Sequence, residues 1–164
     1  MATFISRSPN ETEALGESWG RSAPSGLVIG LCGELGAGKT ILARGLARGL
    51  GVISRVQSPT FTLARVYTGG RLALYHLDLY RLETREQIAA AGLEEYFSTS
   101  GVTVIEWAER WFGESGRLAF RARPLSSTSW PLSPPAPAPG VLRWVTIECL
   151  SGTDRRIHYE DIGH

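Results

Sequence analysis

The residues best suited to chemistry lie in one octet, Gly33-Glu34-Leu35-Gly36-Ala37-Gly38-Lys39-Thr40, whose spacing is G-x-x-x-x-G-K-[ST]. Its glycines let the backbone turn tightly and approach an anion closely. Successive N–H groups then converge as a nest, and a helix starting behind the loop adds its partial positive charge. Lys39 is the only lysine in the chain; the other sixteen of the seventeen basic residues are arginine. A compact ammonium fits between phosphate oxygens where a planar guanidinium does not. Thr40 offers a hydroxyl to a magnesium ion. The octet points to a bound nucleoside triphosphate.

Such a loop works only between a strand and a helix. Leu27 to Cys32 is an apolar run of strand length ending at Gly33. Thr40 to Leu50 then predicts a helix with Ile41, Leu42, Leu46 and Leu50 on one side and Gly51 as its C-cap. Gly45 and Gly49 lower helix propensity but permit close packing, expected here on a sheet. Thr3 to Ser6 predicts a short strand, and Asn10 to Trp19 a helix capped by Ser8 or Asn10. Phe61 to Tyr67 and Leu72 to Leu79 are strand-like, joined by the turn signal Thr68-Gly69-Gly70-Arg71. Arg81 to Ala91 predicts a helix, Val102 to Glu106 a strand, and Leu118 to Arg123 with Val141 to Cys149 a late pair of strands.

These elements predict an α/β chain with one P-loop NTPase-like domain. Its sheet is mixed, with a parallel core and antiparallel hairpins, and helices cover both faces. The domain is expected over residues 1–150, followed by a C-terminal tail at 151–164. Residues 124–140 hold six of the nine prolines and are expected to be a tolerated surface insertion. Pro131 to Pro139 also suits a polyproline ligand.

A phosphate loop needs an acidic partner for the metal and a group that positions water. Glu106 ends an apolar strand, the shape of a Walker-B carboxylate, and belongs beside the loop in a parallel sheet. Asp78 lies in Tyr75-His76-Leu77-Asp78-Leu79-Tyr80-Arg81, where alternation puts His76, Asp78 and Tyr80 on one face. His76 and Tyr80 also suit a hydrogen-bonded pair beneath a loop. Thr60, in Ser58-Pro59-Thr60, stands where switch-type nucleotide hydrolases place a threonine that closes on the metal and the γ-phosphate. Trp107 suits either a core position or a partner-facing anchor.

Composition narrows the classes. A net charge of +1 does not favour direct nucleic-acid binding. Cys32 and Cys149 lack CxxC spacing and are expected to be reduced, buried thiols. No stretch approaches the roughly 18 apolar residues of a membrane span, and the N-terminus lacks a signal-peptide pattern, so a cytoplasmic location is expected.

Five segments together resemble the TsaE (YjeE) family of bacterial P-loop ATPases: GELGAGKT (33–40), SPTFTL (58–63), YHLDLYRL (75–82), AGLEEYF (91–97) and VIEWAER (104–110). The likeness covers about residues 8–123 and extends, more weakly, to 141–150; it does not include the proline-rich stretch. It implies an ATP- and Mg²⁺-dependent, slowly hydrolysing subunit of the machinery that makes threonylcarbamoyladenosine in tRNA. The partners it implies are TsaB and TsaD, with tRNA met only through the complex. Carried onto this chain, it implies that Glu34, Leu35, Gly36, Ala37, Gly38, Lys39, Thr40 and Ile41 hold the nucleotide, with Thr12 near the base. Thr40 and Glu106 would hold the metal. Lys39, Asp78, Glu106 and Thr60 would serve hydrolysis or switching.

Two other functions fit a P-loop: a small-molecule kinase and a nucleotide switch that acts by binding alone. A kinase needs a lid bearing arginines, for which Arg81 and Arg85 are available, but the surrounding motifs argue against it. A GTPase is disfavoured, because guanine reading usually employs a second lysine and this chain has none.

Overall fold

The computed structural model describes residues 1–97, 100–113 and 141–163. In chain order the elements are β1 (Ala2–Ser6), α1 (Pro9–Ser22), β2 (Val28–Cys32), α2 (Lys39–Gly49), β3 (Ala64–Tyr67), β4 (Leu74–Asp78) and α3 (Arg85–Ala90). A 3₁₀ turn at Leu93–Phe97 follows, then β5 (Val102–Glu106), α4 (Glu109–Phe112), β6 (Leu142–Cys149) and β7 (Arg155–Ile162).

The seven strands form one sheet in the order β1-β7-β6-β2-β5-β4-β3. The centre, β6-β2-β5-β4, is parallel. Both wings, β1-β7-β6 and β4-β3, are antiparallel. The expected mixed sheet with a parallel core is therefore the observed one. β2 and β5 are buried along their whole length and are almost wholly apolar, as a parallel strand covered on two faces requires. Side chains alternate between two cores. Ile29 and Leu31 join Leu42, Leu46 and Trp19 under α1 and α2. Val28 and Cys32 join Ile88, Trp111 and Phe112 under α3 and α4.

α1 starts where Ser8 accepts the Glu11 N–H, with Pro9 in its first turn. α2 packs along α1 rather than on the sheet through its glycines. A Cβ on Gly16 or Gly20 would strike the backbone of α2, and one on Gly45 or Gly49 the backbone of α1. The four glycines, spaced four apart on each helix, make a seam in which backbone touches backbone.

Other differences from expectation have local causes. The strand expected from Phe61 begins only at Ala64, because Leu63 N–H turns back to the Pro59 carbonyl and Leu63 takes φ 65°. The helix expected from Arg81 begins at Arg85, where Thr84 and Gln87 form a reciprocal capping box. The expected tail at 151–164 supplies β7 instead, paired with both β1 and β6 and burying Ile157 and Ile162. Charged neighbours at Arg155, Arg156, Glu160 and Asp161 hide that alternation in the sequence. β6 pairs with β2 and β7; the strand expected at Leu118 to Arg123 and the 124–140 insertion lie outside the described residues. Cys149, expected buried, is exposed at the end of β6. Among the described residues no helix is long and apolar enough to cross a membrane.

Candidate functional site

The loops that follow β2, β4 and β5 gather at the carboxyl edge of the parallel strands, the usual ligand position in such sheets. They enclose a cleft of about 410 Å³, within the usual range for ligand sites. Leu35 to Ile41, Arg44, Ser58, Thr60, Asp78, Tyr80, Glu106 and Trp107 line it.

The loop after β2 needs its glycines. Gly33 has φ 148°, and a Cβ there would sit 2.5 Å from the Ile147 carbonyl oxygen. Gly38 has φ 108° and caps α2 without any side-chain bond, so the helix N-terminus opens directly on the cleft. Lys39 is 4 % exposed and folds back, donating from Nζ to the carbonyls of Gly33 (2.7 Å) and Glu34 (2.8 Å). Its ammonium lies 4.0 Å from the Trp107 ring centroid. Burial holds its pKa below the ordinary lysine range, against the opposing pull of Glu106, Glu109 and Asp78. The site thus keeps one desolvated cation whose carbonyl partners are weaker than a triphosphate.

Asp78 and Glu106 end neighbouring parallel strands in register, each the other's Cα partner. Thr40 Oγ donates toward both Glu106 oxygens, at 2.9 and 3.0 Å. His76 Nε2 meets Glu106 Oε1 at 2.8 Å. Asp78 Oδ2 accepts from Ser58 (2.7 Å) and Thr60 (2.8 Å), while Oδ1 accepts the Tyr80 N–H (2.9 Å). One carboxylate is therefore tied to α2, and the other latches the 56–60 segment. Arg44 holds the start of that segment, donating from Nε to the Val56 carbonyl at 3.1 Å.

The expected metal pair, Thr40 and Glu106, consists of hard oxygen donors already in contact. Among the described residues, no group of three or more His, Cys, Asp or Glu side chains suits a metal ion. That donor set fits Mg²⁺, which takes one or two protein oxygens and completes its shell with phosphates and water.

The structure brings Leu35, Gly36, Ala37, Gly38, Lys39, Thr40, Ile41, Thr60, Asp78 and Glu106 into one cleft. Glu34 takes part through its carbonyl, which accepts from Lys39 and from the Ala37 N–H. Thr12 is buried, bonded to Ser6, and lines a separate slot of about 40 Å³ behind Gly36–Gly38 with Thr153 and Arg155. Arg155 Nε donates to the Ala37 carbonyl, so β7 braces the loop. His76 and Tyr80 do not pair with each other. His76 goes to Glu106, and Tyr80 packs on Trp107 at 5.0 Å.

Ser58, Arg44, Trp107 and Arg155 were not expected in the site. The signals were faint: a serine two before Thr60, an arginine one turn after Thr40, a tryptophan after the strand-ending carboxylate. Trp107 takes φ 59°, a left-handed backbone unusual for an aromatic residue, and such strain concentrates at functional sites. Cys32 is inert: burial first, then the Glu109 carboxylate, pushes its thiol far up.

The family model for the threonylcarbamoyl adenosine biosynthesis protein TsaE matches residues 6–125. The tRNA threonylcarbamoyladenosine biosynthesis protein TsaE of Treponema pallidum is 48% identical over 106 residues, covering 65% of this chain and 78% of that protein. That of Bacillus subtilis is 46% identical over 100 residues, covering 61% of this chain and 62% of that protein. The crystal structure of Bacillus subtilis YdiB superposes with a TM-score of 0.68 at 30% identity, over 99% of this chain and 86% of that one. The matched 6–125 span carries the phosphate loop, Ser58, Thr60, His76, Asp78 and Glu106, and the chain belongs to the TsaE family.

Proposed function

We propose that this chain binds and hydrolyses Mg²⁺·ATP as the ATPase subunit of tRNA threonylcarbamoyladenosine biosynthesis, working with TsaB and TsaD and meeting tRNA only through that complex. The observation that carries the reading is the triangle of Lys39, Thr40 and Glu106 at the mouth of α2, with Asp78 in register beside it. Family membership supports the pathway.

Lys39 exchanges its two carbonyl partners for phosphate oxygens, and the amides at the start of α2 point at the same anion. Thr40 and Glu106 would hold the metal, and Mg²⁺ held there would supply positive charge against the triphosphate. Asp78 releases Thr60 toward the γ-phosphate and then orients the attacking water, Ser58 keeping its carboxylate satisfied. Catalysis is positioning and electrostatics without a covalent intermediate. Slow turnover follows when the chain is alone. Leu35 (76 % exposed) and Tyr80 (42 %) line the cleft, and Phe61 (84 %) follows Thr60; these solvent-facing apolar groups suit a partner that orders the 56–60 segment.

The test mixes the purified chain with TsaB and TsaD and follows complex formation, ATP turnover and tRNA modification together. Turnover rises on assembly, and Lys39→Ala abolishes it. A Glu106→Ala protein assembles but does not support modification. Wild-type turnover by Lys39→Ala refutes the site assignment. Modification that persists with Glu106→Ala shows that the chain acts by binding alone.

A further inference from the structure

His76 is fully buried in the middle of β4, two residues before Asp78 on the same face of the strand. Its Nε2 reaches Glu106 Oε1, but its Nδ1 is buried without a hydrogen-bond partner among the described residues. A buried polar atom left unpaired is expensive, and a leucine or valine would fill the same core without that cost. Packing therefore does not explain the imidazole. What the ring has that an aliphatic side chain lacks is the contact at Nε2.

That contact decides which carboxylate oxygen is occupied. Oε1 is met by His76 at 2.8 Å and by Thr40 at 2.9 Å, whereas among the described residues Oε2 has only the longer 3.0 Å contact from Thr40. Thr40 and Glu106 both line the cleft; His76 does not. The imidazole thus grips the carboxylate from within the protein and leaves Oε2 as the less engaged oxygen of a residue that lines the cleft.

We propose that His76 is a positioning residue for the divalent cation: its Nε2 pins Glu106 Oε1 so that Oε2, together with the Thr40 hydroxyl, is presented to the metal. The proposal rests on the Mg²⁺·ATP reading of the cleft. Without His76 the carboxylate is free to swing about its own axis and turn to Thr40 or the nearby Lys39 ammonium. Outer donors of this kind typically alter metal affinity by about 10–100-fold.

The test uses Mn²⁺ as a paramagnetic probe, titrated by electron paramagnetic resonance into protein saturated with a non-hydrolysable ATP analogue, so that no turnover is needed. His76→Gln places an amide near the Nε2 position, and its Mn²⁺ affinity stays within about threefold of wild type. His76→Asn reaches only as far as Nδ1, and like His76→Leu it loses about 10–100-fold. Affinity for the analogue in EDTA is the same in all four proteins. Should His76→Leu fail to fold, the Gln and Asn pair decides, because both keep a buried amide and differ only in where it ends. Wild-type Mn²⁺ binding by His76→Asn, or a metal-free analogue affinity that falls in parallel with the Mn²⁺ affinity, overturns the proposal. A wild-type protein that takes up no Mn²⁺ beyond what the analogue alone binds, leaving the free-ion signal as it is without protein, instead overturns the metal reading itself, before any substitution is made.

Discussion

Gly45→Ala sets helix propensity against packing, and the structure decides the sign. In an isolated helix the substitution stabilises by about 1 kcal/mol. Here a Cβ on Gly45 would stand 1.9 Å from the Glu13 carbonyl oxygen, 2.8 Å from its carbon and 3.0 Å from the Glu17 nitrogen. All three are backbone atoms of α1, so no side chain can turn aside. The helices must part by about 1.1 Å before the new carbon clears the 3.0 Å limit of real Cβ contacts. Parting loosens Leu42 and Leu46, both buried between α1, α2 and the sheet. Overpacking of this kind costs about 3 kcal/mol, leaving a net loss of about 2 kcal/mol after the propensity gain. For a domain of this length that is a fall in Tm of about 4–8 °C. α2 also carries Lys39 and Thr40 on its first turn, and a shift near 1 Å there weakens nucleotide binding by about tenfold or more. Thermal unfolding and nucleotide titration of Gly45→Ala read both effects, with exposed Ser18→Ala as a control expected within about 0.5 kcal/mol of wild type. A Gly45→Ala protein with an unchanged or raised Tm refutes the backbone seam between α1 and α2.

Two further outcomes follow from the site. Burial lowers the Lys39 pKa in the free protein, while bound phosphates favour its charged form, so binding raises that pKa; affinity is full below the free-protein value and is lost as pH rises through it, beginning below the ordinary 10.5. Nucleotide titration across alkaline pH checks this, and affinity that holds to the ordinary lysine range contradicts it. Asp78→Asn replaces at least one charge-assisted bond from Ser58, Thr60 or the Tyr80 amide with a neutral one, a loss of about 1–2 kcal/mol. Limited proteolysis should then cut the 56–60 segment faster and kcat should fall about tenfold, with nucleotide affinity changing much less; unchanged proteolysis removes the latch.

The phosphate loop, the strand and helix around it, and the two strand-ending carboxylates were legible in the chain because each depends on near neighbours. Glycine spacing, an apolar run of strand length and a helix period are local properties, written into consecutive residues. The partners of those groups were not legible. Ser58 and Thr60 meet Asp78 across 20 and 18 positions, Thr40 meets Glu106 across 66, and Arg155 reaches Ala37 across 118. Sheet order alone sets those meetings. β7 was missed because its apolar positions are interrupted by charges that pair only once β6 lies beside it, as Arg143 with Asp161 and Arg156 with Glu148 do. His76 shows the division most sharply. Alternation placed it on the same face as Asp78, yet only the parallel register of β4 on β5 turns its Nε2 toward Glu106 and leaves Nδ1 without a partner among the described residues. The sequence alone set the expectation of a triphosphate at Lys39. Tertiary structure decided which side chains hold the two carboxylates beside it, because only folding brings distant polar groups into a volume without water to satisfy them.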